Sequence, residues 1–427
     1  MSTKKLTPGT RVQVTTKTKK LKGTYLPSRT KGITVIKLDS GYNIGIKSNK
    51  VKNIKTLRDS KIVKQEKKSQ IKQNPDLPNI TILHTGGTIA SKVDYKTGGT
   101  YSSFTPEDLL ELFPELKEIV SIKSELVRNM WSDDLRFKHF TLLGKKIKSE
   151  ISNGAQGIIL SMGTDNLAVT AAALSFIVQK SPIPIILVGA QRSSDRPSSD
   201  AASNLLSASY FISESDFSGI GICMHSSPSD DWCVILPPNK TKKLHTSSRD
   251  AFKPVNTEPI ALVNIKEKKI AFIQKKYPKK DLARKPIIKP NMEDEVGLLK
   301  ISLNMFPKQF EIFKGFKGLV IEGTGLGHTP GDKIDSFTKD HPTILKVIKN
   351  LSDSGTVVVM TSSCTFGNVS LDVYSKGRNL LKAGVIPGED MLSETALVKL
   401  SWLLANSKNV KKQIRENIAG EINDRIH

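Results

Sequence analysis

The 427-residue sequence predicts an α/β protein, with a small N-terminal β-barrel followed by two α/β units built on parallel sheets. Three observations carry this. Residues 6–55 hold short runs in which apolar and polar residues alternate. From residue 77 onward, continuous apolar runs of five to eight residues recur. Between those runs lie amphipathic stretches of helical length.

In the first 75 residues, "TRVQVTT" (10–16) and "ITVIKLDSGYNIGIK" (33–47) read as barrel strands, with Asp39-Ser40-Gly41 as a turn. The polar run "KIVKQEKKSQIKQNPD" (61–76) reads as a linker or an exposed helix. Strands are expected at "ITILH" (80–84), "GIILSM" (157–162), "IPIILVGA" (183–190) and "GIGICMH" (219–225), and helices at 165–179 and 199–212. The Pro- and charge-rich segment 275–295 reads as a second linker. Beyond it, "GLVIEGTGLGHTPG" (318–331), "TVVVMTSSCTFG" (356–367) and the helix 393–407 form the second α/β unit. The expected division is therefore 1–75, 76–274, 275–295 and 296–427.

The net charge is +24, and residues 1–75 hold 20 Lys and Arg against three acids, a net of +17 in under a fifth of the chain. That asymmetry suggests a polyanion nearby, RNA being the commonest, against the alternative of a solvated lysine-rich surface. No apolar run is long enough for a membrane span, and no apolar stretch follows the charged start. Cys223, Cys233 and Cys364 are scattered and lack metal spacing; they read as small buried side chains in a reducing, cytoplasmic compartment. No phosphate loop ends in Lys-Ser/Thr, no G-x-S-x-G occurs, and the seven histidines show no metal spacing, so no metal is expected.

Ligands of an open parallel sheet bind beyond the carboxyl ends of its strands. Three such ends carry polar clusters: "TGGT" (85–88), "GTDN" (163–166) and "GAQRSSDRPSSD" (189–200). In these motifs the sequence resembles the L-asparaginase/glutaminase family. "LPNITILHTGGTIAS" and "GIILSMGTDNLAVTAAALSF" match its two signatures in order and spacing, and the resemblance covers roughly residues 77–427. The barrel and "VGAQRSSDRPSSDAASNLLSA" narrow it to the branch that supplies glutaminase subunits to archaeal tRNA-dependent amidotransferases.

The resemblance implies glutamine hydrolysis through a threonine acyl-enzyme. Thr88 would attack the carboxamide, and Tyr101, in a lid loop with Gly98 and Gly99, would activate it. Thr164, Asp165 and Lys243 would form the second catalytic group. Lys240 and Lys242 read as surface charges. Asp165, Ser132 and Asp133 would hold the α-amino and α-carboxylate groups, and the Ala190 carbonyl would face the leaving ammonia. Backbone N–H groups at Gly87–Thr88 and Gly163–Thr164 would stabilise the oxyanion. Met162 and Asn166 stand where the family usually has histidine and threonine.

The chain itself is expected to need no cofactor. A partner E subunit would use ATP and Mg²⁺ to phosphorylate Glu-tRNA(Gln) and then aminate it, contacting most of the tRNA(Gln). A homodimer through the asparaginase-like units would give an α2β2 assembly. Two other readings are a stand-alone L-asparaginase or glutaminase, and a non-catalytic RNA-binding scaffold. The basic barrel weighs against the first, and the retained Thr88, Thr164, Asp165 and Lys243 weigh against the second.

Overall fold

The computed structural model describes residues 6–28, 30–38, 43–57, 74–87, 89, 91–93, 100–102, 106–192, 198–229 and 231–424. The expected turn at 39–41 and most of the polar stretch at 61–76 lie outside them.

Residues 6–57 form a five-stranded antiparallel sheet. Its edge strands, Asn43–Lys47 and Val51–Thr56, are joined only by the turn Ser48–Lys50. In a flat sheet those edges would lie four strand spacings apart, roughly 19 Å. The four chain steps from Lys47 to Val51 reach at most about 14 Å. The sheet must therefore curl, which is why this short alternating sequence becomes a barrel, closed on Val12, Val14, Ile36 and Ile46.

The second sheet has eight strands. Five run parallel, in the spatial order Ser121–Leu126, Asn79–His84, Gly157–Ser161, Pro184–Val188, Gly219–His225. In chain order this is 2-1-3-4-5, so the sheet reverses its winding between Asn79–His84 and Gly157–Ser161. The expected parallel sheet continues into three antiparallel strands, Cys233–Leu236, Ala261–Asn264 and Lys269–Phe272. The last unit carries a four-stranded parallel sheet in sequential order, from Val296–Lys300 to Ile386–Pro387.

Helix Leu167–Ile177 is apolar on all sides and almost wholly buried, because it packs between the sheet and helix Ser393–Asn406 of the last unit. Phe176 and Trp402 stack across that contact with ring centroids 6.1 Å apart. The segment 275–295 is fastened along the first unit: Asp281 N donates to Pro182 O and Lys289 N to Ile177 O. Among the described residues no helix is long and apolar enough to cross a membrane.

Two expectations about burial, those for Lys240 and Cys364, are corrected. Lys240 is buried and pairs with the buried Asp390 of the last unit, so it is an inter-unit ion pair and not a surface charge. Cys364 is exposed, whereas Cys223 and Cys233 are buried as expected. On helix Ser393–Asn406, Lys399 is fully buried and paired with the equally buried Glu421.

Candidate active site

Strand Asn79–His84 passes into Thr85, Gly86 and Gly87. Gly86 and Gly87 have φ of 110° and 90°, a region that side chains disfavour. A Cβ on Gly87 would sit 2.7 Å from Gly163 N, so only glycine lets this turn rest against the Met162–Gly163 peptide. The turn lies at the reversal in strand order, where the two strand ends diverge and open a crevice.

Backbone bonds extend this edge. Thr85 N donates to Ser161 O (3.0 Å), and Met130 N donates to Thr85 O (3.0 Å), which carries the loop toward Ser132. Ser132 is buried, and Asn166 holds it: Asn166 Nδ2 donates to Ser132 O at 2.9 Å. The asparagine that departs from the family pattern thus fastens a predicted substrate contact. Asp133 is exposed in the same short turn.

Lys243 comes from the hairpin Thr241–Lys243 with Phe252–Pro254, where it is the register partner of Phe252. Its Nζ donates to Thr164 Oγ1 at 2.9 Å and to Asp165 Oδ1 at 2.8 Å. The lysine side chain is 14% exposed and that of Asp165 64%. A small pocket of about 100 Å³ beside them is lined by Asp165, Lys242, Lys243 and Glu394, among others. Larger cavities of about 560 and 640 Å³ lie away from these groups.

Ala190 is buried just beyond strand Pro184–Val188. The preceding Gly189 lies so near Thr164 that a Cβ there would be 2.7 Å from Thr164 Cγ2. The structure therefore brings together Gly87, Ser132, Gly163, Thr164, Asp165, Ala190 and Lys243 from five separate stretches of chain. Thr88 lies outside the described residues, as does the side chain of Tyr101, whose backbone is in strand Thr100–Ser102.

Sequence reasoning missed Asp200. This fully buried carboxylate accepts from Gln191 N (3.0 Å) and Arg192 N (2.9 Å), and from Asn204 Nδ2 (3.1 Å), which also donates to Gly189 O (3.0 Å). It holds the turn that carries Ala190. The signal was present, since Ser-Ser-Asp before an apolar helical run marks a helix start. Asp200 does occupy that N-cap position, but its side chain caps no backbone N–H of the helix; it accepts from the turn and from the Asn204 side chain. Behind the site, burial pushes the His84 imidazole down to about 3, so it stays neutral, with Nε2 3.1 Å from Ser124 Oγ. Among the described residues, no group of three or more His, Cys, Asp or Glu is placed to hold a metal ion.

Comparison with known proteins identifies the family. The chain matches the family descriptions "Asparaginase, N-terminal" over residues 79–277, "Glutaminase/Asparaginase C-terminal domain" over 295–417 and "GatD N-terminal domain" over 6–57. It is 44% identical to the D subunit of the glutamyl-tRNA(Gln) amidotransferase of Pyrococcus furiosus, covering 91% of this chain and 87% of that one. With the protein of the same name from Methanococcus maripaludis it shares 43% identity over 95% of each. Among solved structures, the thermostable L-asparaginase of Thermococcus kodakarensis superposes with a TM-score of 0.71 at 28% identity, covering 81% of this chain and all of that one. L-asparaginase I of Vibrio cholerae gives 0.69 at 24%, covering 81% and 99%, a likeness of fold. With that identity held over more than nine-tenths of its length, the chain belongs to the asparaginase family, in the branch of the glutamyl-tRNA(Gln) amidotransferase D subunits.

Proposed function

We propose that this chain is the glutaminase of a tRNA-dependent amidotransferase, and that it hydrolyses glutamine through an ester on Thr88. The observation that carries the reading is Lys243 Nζ held between Thr164 Oγ1 and Asp165 Oδ1, beside the glycine turn that precedes Thr88. Thr88 Oγ forms a bond to the glutamine δ-carbon while its proton leaves, with Tyr101 as the near base. Backbone N–H groups around Gly87 and Gly163 receive the developing oxyanion. The tetrahedral centre collapses as the C–N bond breaks; the nitrogen takes up the proton that Thr88 lost to Tyr101, and ammonia departs past Ala190. Water, activated by Thr164 and Lys243, then cleaves the ester and releases glutamate. Asp165 and Asp133 take the α-ammonium, and Ser132 the α-carboxylate.

The ammonia is consumed by a partner, the E subunit, which binds most of the tRNA(Gln). There ATP, with Mg²⁺, activates the γ-carboxylate of Glu-tRNA(Gln) as an acyl phosphate, and ammonia displaces the phosphate to give Gln-tRNA(Gln). Two copies of each chain assemble as α2β2. Residues 1–75 serve as a basic accessory domain, 76–274 carry the nucleophile, 275–295 connect, and 296–427 complete the site of a neighbouring copy.

The test is ammonia release from glutamine by the chain alone, with the partner, and with partner plus Glu-tRNA(Gln). A slow chain that accelerates only with both additions supports the reading. Rapid turnover of asparagine by the isolated chain overturns it in favour of a stand-alone asparaginase, and unchanged hydrolysis by Thr88→Ala removes the proposed nucleophile.

A further inference from the structure

The glutaminase reading gives the N-terminal barrel no work. We infer that its outer face is a docking surface for the phosphate backbone of double-helical RNA. Strand pairing places the relevant side chains. Val12 and Val14 are fully buried inside the barrel, so Gln13 and Thr15, on the alternate positions, face outward. Antiparallel register sets Lys22 on one side of Gln13 and Lys55 on the other; Thr15 has Lys20 on one side and Asn53 on the other. The tight turn between the first two strands, closed by Thr16 N donating to Lys19 O (2.9 Å), adds Lys17 and Lys19 at the same end. With Lys52 these make six exposed lysines.

Among the described residues none of the six forms an ion pair, and the first 57 residues contain one acid, Asp39. The field of this face is therefore uncompensated from within.

Charge alone would also suit an acidic protein. Two further observations favour RNA. Stable protein interfaces place apolar side chains at their centre. Yet among the described residues of the barrel no large hydrophobic side chain is exposed. The rows containing Lys22 and Lys55 lie two strand spacings apart, about 10 Å, with the uncharged hydrogen-bonding groups of Gln13, Thr15 and Asn53 between them. Such a face contacts phosphates and 2′-hydroxyls. Among its described residues it offers no exposed aromatic platform on which single-stranded bases would stack, so the ligand is a helical stem read by shape and charge, without sequence preference.

If five phosphates are neutralised, log Kobs falls with log salt at a slope near −4.5, roughly a 500-fold loss between about 50 and 200 mM salt. The test uses the full chain and an RNA duplex of about 20 base pairs, without glutamine, across a salt series. Expected is a slope of about −4 to −5; in K22A/K55A it becomes shallower by about two, and binding weakens at least about tenfold. The variant's melting temperature and glutaminase activity serve as folding controls, since neither lysine touches the candidate active site. An unchanged slope in the variant overturns the inference. So does displacement of the duplex by poly-glutamate of equal charge as readily as by unlabelled duplex, which would assign the face to an acidic protein. Binding and glutamine hydrolysis are read separately, so either reading can fail without the other.

Discussion

Replacing Lys243 with methionine keeps the apolar stem and deletes only the ammonium that bridges Thr164 Oγ1 and Asp165 Oδ1. Two magnitudes can be separated. For folding, the Asp165 partner is 64% exposed, so its ion pair is screened and contributes under about 1 kcal/mol. The bond to the Thr164 hydroxyl adds a further 1 kcal/mol or so. For chemistry, a positioned proton-transfer group supplies about 10²- to 10⁴-fold, equivalent to roughly 3–5 kcal/mol of barrier. The barrier term exceeds the folding term. In ammonia-release assays with partner and Glu-tRNA(Gln), kcat and kcat/KM should fall together by at least about 100-fold, while the melting temperature moves by only a few degrees. Lys243→Arg should not rescue, because a guanidinium cannot give up its proton in a protein. If Lys243→Met retained kcat within about fivefold while folded, proton transfer through this lysine would be refuted.

Gly87→Ala should abolish turnover while the fold survives, since its Cβ would meet Gly163 N at 2.7 Å and φ is 90°. The expected stability cost is about 1–3 kcal/mol, read by denaturant unfolding beside the activity assay. Asp200→Asn puts an amide N–H₂ against the Gln191 or Arg192 N–H. It should cost about 1–3 kcal/mol and, by loosening the turn that carries Ala190, lower kcat about 10- to 100-fold. Stability should also fall with acid through His84. Its folded pKa, about 3, lies below the unfolded 6.5, so only the unfolded chain takes up this proton between those values. Lowering pH from neutral to about 5 should then remove roughly 2 kcal/mol, and His84→Gln should flatten that part of the urea-unfolding profile.

The readable parts of this protein were those written in local pattern. Strands 79–84, 157–161, 184–188 and 219–225 are continuous apolar runs because both sheet faces are covered, and each lies within a residue or two of its expected place. The antiparallel strands after Cys233 were not readable. Four-residue runs such as Ala261–Asn264 carry no mark of direction, which only their partners decide.

The neighbouring lysines 240 and 243 show where the limit falls. Composition makes them alike; the family resemblance set Lys243 apart as catalytic and left Lys240 as a surface charge. The fold sends Lys240 into a buried pair with Asp390, 150 residues away, and Lys243 to a half-open site against Thr164 and Asp165. A buried pair of that kind, if one partner is removed, leaves an uncompensated charge costing about 3–5 kcal/mol. Lys240→Met should therefore lose activity by unfolding or by loosening the contact between the two α/β units, whereas Lys243→Met should lose it with the fold intact. The melting temperature separates the two cases: only the first should fall in step with activity. Identical loss of stability in both would mean that Lys243, like Lys240, is structural, and the proton-transfer role would have to move to another group.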